Sequence, residues 1–85
     1  MNSTYFALMA EFGTGTVPLA SVCEKYFGLN EAQAQRRARN HQLPLPIFRG
    51  AKSQKSPMLV NISDLAQHLD KMRAEAESEF IAVNY

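Results

Sequence analysis

Gln33, Arg36, Arg39 and Asn40 crowd one short stretch of this sequence, and their side chains share a chemical property. Each presents paired hydrogen-bond donors, or a donor beside an acceptor. Such groups fork onto base edges in a major groove, arginine onto guanine and asparagine or glutamine onto adenine. Arg37 in the same stretch, and Lys52, Ser53, Gln54 and Lys55 further on, are types that grip phosphate oxygens. Between Ala32 and Ser63 the chain carries six basic residues and His41 but no acid, while the flanks carry all eight acids against three bases. A net charge of +1 hides that division. A segregated basic surface attracts a polyanion even on a nearly neutral molecule, because fields are local within about 10 Å at cellular salt. A merely solvated stretch has the same composition, so position has to decide.

Other chemistries are poorly served. Cys23 is the only cysteine, so no intrachain disulfide forms and no Cys/His set closes a zinc site. It sits in an apolar stripe with no histidine beside it, as a core filler would. His68 has no second histidine at ligand spacing and reads as a surface or boundary residue. Gly13-Thr14-Gly15-Thr16 lacks the Lys-Ser/Thr ending of a phosphate loop. With no acid pair or nucleophile–base set, neither catalysis, a cofactor nor a metal is expected.

The elements that must carry the basic residues can be read from periodicity. The 85 residues allow one domain. Tyr5, Phe6, Leu8, Met9 and Phe12 recur at helical spacing, capped by Ser3 or Thr4 and stopped by Gly13. Pro18 opens a second helix that Gly28 ends, with Leu19, Val22, Cys23 and Phe27 as its stripe. Asn30 caps the next, with Gln33 completing a capping box. In that helix Ala34 and Ala38 face inward, Arg36, Arg39 and Asn40 outward, and Gln33 and Gln35 lie on opposite flanks. Leu43-Pro44-Leu45-Pro46 cannot continue it. Ile47–Arg49 and Met58–Val60 read as strands around a polar loop carrying Lys52 and Lys55, which makes a β-hairpin. The last helix starts at Asn61 or Ser63, with Ile62, Leu65, Leu69 and Met72 inward, joined by Ala66 and Ala76. Phe80–Tyr85 is an apolar tail that either folds back or binds another subunit.

Two short helices joined by a tight turn, the second rich in base-reading side chains, are arranged as a helix-turn-helix, and a hairpin follows as a wing. The expected fold is therefore mainly α with a small β-hairpin, a winged helix-turn-helix, in one domain spanning residues 1–85. Residues 74–85 form its oligomerisation or fold-back tail. The longest apolar run is far short of the roughly 20 residues that span a bilayer. The start, Met1-Asn2-Ser3-Thr4, has no basic residue of the kind a signal peptide carries, so a cytoplasmic, nucleoid-associated protein with no membrane contact is expected.

The order Val17-Pro18-Leu19, Val22-Cys23, Tyr26-Phe27-Gly28, then the basic helix, Leu45-Pro46, Ser53-Gln54-Lys55-Ser56 and Asp64-Leu65-Ala66 resembles the pyocin activator (PrtN-like) family. The likeness runs from about Thr4 to Arg73, and its broader organisation is similar to that of the winged-helix excisionases. It implies sequence-specific binding of duplex DNA upstream of phage or bacteriocin genes. The chain departs from the pattern at Ala34 and Ala38, where the family has bulkier apolar residues. It departs again at His41, where related excisionases often carry glycine after the helix.

Together these readings point to a transcriptional regulator of phage or prophage genes, an activator, with double-stranded DNA as its partner. Its DNA-binding residues would be Gln33, Arg36, Arg37, Arg39, Asn40, Lys52, Ser53, Gln54 and Lys55. Homo-oligomerisation on DNA and a contact with RNA polymerase would accompany it. Two alternatives stay open at this point: an excisionase that bends an attachment site, and a phage-encoded protein that inhibits a host factor.

Overall fold

The computed structural model describes residues 3–84; Met1, Asn2 and Tyr85, the last residue of the apolar tail, lie outside them. The chain is mainly helical. Four helices, α1 (Ser3–Phe12), α2 (Cys23–Phe27), α3 (Glu31–Arg39) and α4 (Ile62–Asn84), surround three short strands, β1 (Thr16–Pro18), β2 (Phe48–Arg49) and β3 (Met58–Asn61). The strands form one antiparallel sheet with β3 in the centre. Val17 lies opposite Val60, and Phe48 opposite Leu59.

The expected hairpin is present as β2 and β3, although Ile47 lies outside the strand. The third strand replaces the start of the expected second helix. Pro18 adopts an extended conformation and pairs with Leu59 instead of opening a helix. Its missing N–H is tolerated because β1 is an edge strand. Val17 is buried against Val60, and that burial draws the segment into the sheet. One 3-10 turn, Leu19–Ser21, follows, and α2 begins only at Cys23.

The core is one cluster that includes Leu8, Val17, Leu19, Val22, Cys23, Ala34, Val60, Ile62 and Leu65. Cys23 fills it as expected, its Sγ 3.7 Å from the Ala20 carbonyl oxygen. The half-buried His68 ring lies 5.6 Å from that of Phe27. α1 runs antiparallel along the first half of α4. The Thr4 hydroxyl donates to the Asp70 carboxylate at 2.6 Å, and the Ile62 N–H donates to the Gly15 carbonyl at 2.9 Å. Asn61 caps α4, its Oδ1 accepting the Ser63 N–H at 2.8 Å.

Beyond Asp70 the expected inner stripe fails. Met72 is 51% exposed, and every residue from Lys71 to Asn84 is exposed. α1 starts at the level of Asp70, and beyond it α4 shares with Pro44–Pro46 an open pocket that reaches Met72 and Glu75 but leaves both exposed. The helix runs on without a turn through Asn84 and gives the molecule its 52 Å length.

Candidate nucleic-acid interface

The basic residues are positioned by the two ends of α3. Asn30 Oδ1 accepts the Gln33 N–H at 2.8 Å, and Gln33 Oε1 accepts the Asn30 N–H at 3.1 Å. This is the expected capping box, and it satisfies two amide groups that a helix start otherwise leaves unpaired. At the other end the Gln42 N–H donates to the Arg37 carbonyl at 2.8 Å and the His41 N–H to that of Ala38 at 3.2 Å. These two bonds make a Schellman motif, whose left-handed position is usually glycine. Here it is His41, with φ 54°. The helix therefore stops before the prolines rather than at them.

Between its ends, α3 packs flush on the domain through Ala34, which is fully buried, and Ala38. At about 3.6 residues per turn, Arg36 stands on the face turned furthest from Ala34. Arg39 and Gln35 fall on one flank of it, Asn40 and Gln33 on the other, and Arg37 beyond them. Arg36, Arg37, Arg39 and Asn40 are all exposed. Glu31 in the first turn and the arginines in the last both suit the helix dipole.

The loop between β2 and β3 is held from beneath by Arg49. Its guanidinium Nη1 donates to the Gln54 carbonyl at 2.9 Å and also to the Ser56 carbonyl. Ser53 tightens the same turn, its Oγ accepting the Lys55 N–H at 3.1 Å and its carbonyl the Ser56 N–H at 3.1 Å. This loop and the Arg39 flank of α3 share a cleft of about 460 Å³. Gln35 and Arg39 line it from the helix, and Arg49, Gln54, Lys55, Ser56, Pro57 and Met58 from the hairpin. No acidic residue lines it.

Of the residues expected to bind DNA, Arg39, Gln54 and Lys55 meet in this cleft. Arg36, Arg37 and Asn40 lie on the rest of the exposed helix surface, and Lys52 and Ser53 on the exposed loop outside the cleft lining. Gln33 is exposed too, but its carbonyl oxygen is held in the capping box. Sequence reasoning did not single out Gln35 or Arg49. Gln35 reads from the sequence only as a flank residue, and its amide bonds Glu31 at 3.2 Å. Arg49 acts on backbone carbonyls, which leave no residue-type signal. Among the described residues no cluster of three or more His, Cys, Asp or Glu could hold a metal ion. No helix there is long and apolar enough to cross a membrane.

The fold and site together define a class: a small, mainly helical protein that presents an arginine-rich helix beside a basic hairpin loop. Residues 4–76 match the family described as pyocin activator protein PrtN, and the chain belongs to that family. No curated protein and no solved structure matches the chain. Membership suggests a phage-related activator of transcription, a regulatory rather than enzymatic role.

Proposed function

We propose that this protein is a winged helix-turn-helix activator that binds double-stranded DNA sequence-specifically near phage or prophage promoters. α2 and α3 form the helix-turn-helix, joined by a turn in which Gly28 takes a left-handed conformation. α3 enters the major groove, where Arg36, Arg39 and Asn40 reach base edges, with Gln33 offering its free amide N–H groups. The β2–β3 loop is the wing. Arg37, Lys52, Ser53, Gln54 and Lys55 hold phosphates or the neighbouring minor groove.

The observation that carries this proposal is the shared cleft, in which Arg39 on the helix and Lys55 on the loop border one acid-free surface. A solvated helix with an unrelated loop would have no reason to build it.

The test is to recover genomic fragments, prophage regions included, bound by the purified protein at about 150 mM salt, near physiological ionic strength. A recurrent motif next to promoters is expected. Phased repeats inside an attachment site would make the protein an excisionase instead. No enrichment by a folded sample would refute DNA reading altogether.

A further inference from the structure

The end of α4 and a groove beside α3 are two unpartnered surfaces on one molecule. Phe80, Ile81 and Val83 crowd the last turns of α4 and are 60%, 54% and 84% exposed. Glu75, Glu77 and Glu79 precede them on the same helix, and no basic residue follows Arg73. The second surface is an apolar groove of about 380 Å³ lined by Ala38, His41, Leu43, Pro44, Leu45 and neighbouring residues up to Ile47. It lies wholly within the segment that carries six basic residues and no acid. An acidic apolar tip thus faces outward on one end of the chain, and a groove lined by no acid, with Arg37, Arg39 and Arg49 next to it in sequence, opens on another part.

We infer that the α4 tip of one copy docks in the groove beside α3 of a second copy. Phe80 and Val83 enter the groove, and the glutamates face the basic segment around it. Within one molecule Phe80 and Val83 are left exposed, so neither lies in its own groove. The two surfaces differ from one another, so the contact is head-to-tail. Each copy keeps a free tip at one end and a free groove at the other, so growth is open-ended. A projecting helix of about three turns is marginal in water by itself, and docking supplies the missing partner. One groove buries less than the roughly 1,200 Å² of a standard interface, so association belongs at tens to hundreds of micromolar. None of this depends on DNA binding.

Sedimentation equilibrium on the full chain without DNA tests the contact, with the variants Phe80→Ser and Pro44→Glu alongside. Both residues are exposed, and circular dichroism confirms that each variant folds. The wild type is expected to rise from the 9.5 kDa monomer through twice that mass and beyond as concentration increases to about 300 µM. Each variant alone stays monomeric. Mixed, they form a pair that stops at two chains, because one supplies an intact groove and the other an intact tip. A wild type that stays monomeric throughout overturns the inference. So does a wild type that stops at a dimer, or a variant mixture that fails to associate.

Discussion

Arg36 stands two residues beyond the buried Ala34, which turns it furthest from the domain, whereas Lys52 sits on the tip of a loop. Both are exposed cations, yet the proposed geometry gives them different work. A phosphate contact releases counterions and is indifferent to sequence, so Lys52→Ala should weaken binding to all duplexes alike and flatten the salt slope by about one unit. An arginine forked on a base should matter at one position, so Arg36→Ala should cost about 1–3 kcal/mol there and relax the preference. Titrations of a bound site and its single-base variants at several salt concentrations separate the two. An unchanged slope for Lys52→Ala would remove it from the interface. The residue types at 33–40 were legible because their hydrogen-bonding chemistry is local. The work of Arg49 was not, because its partners are the carbonyls of Gln54 and Ser56, and those are fixed only once the loop has closed.

At the scale of elements, α3 depends on its two ends more than on its own packing. Its one fully buried residue is an alanine, so most of what orders it is the capping box and the final turn. Asn30→Ala should therefore destabilise the protein by about 1 kcal/mol, measured by urea denaturation. His41→Gly should stabilise it by roughly 0.5–1 kcal/mol, because a side chain is strained where φ is positive. A different tie joins α1 to α2. Lys25 Nζ lies 2.8 Å from Glu11 Oε1, and the Tyr26 hydroxyl donates to Glu11 Oε2 at 3.0 Å. The Lys25 ammonium, and after it the Tyr26 hydroxyl, hold the Glu11 carboxyl below the usual glutamate range. A lowered folded-state pKa gives stability that is present above the unfolded value, about 4.3, and lost as pH falls through the folded one. The wild type should thus exceed Glu11→Gln in stability at pH 6, and the difference should shrink steadily below about pH 4. A gap that persists to pH 2 would show that the tie acts through packing. The capped start of α3 could be read from Asn30 and Gln33, since a capping box spans only a few residues. β1 could not, because its partner β3 lies some forty residues away and three residues are too few to show alternation.

For the whole molecule, the decisive division falls near Arg73. Up to Asp70, α4 is a core element, with Ile62, Leu65 and Ala66 buried and Thr4 of α1 bonded to Asp70. Past Arg73 each described residue is exposed, and Arg73 itself pairs along the helix, 3.3 Å from Glu77. The helical spacing of Met72 and Ala76 with Leu65 and Leu69 reads as core because periodicity reports a face and not what covers it. A chain ending at Arg73 should therefore keep its fold. Its thermal midpoint at a few micromolar should lie within about 3 °C of the full-length value, as expected when only exposed surface is lost. The two should separate on concentrating. The full chain gains stability by mass action as copies associate, and its midpoint climbs with concentration, while that of the shortened chain stays flat. A large loss of stability at low concentration would mean that residues 74–84 pack on their own domain. Parallel behaviour at both concentrations would mean that the tip takes no part in association.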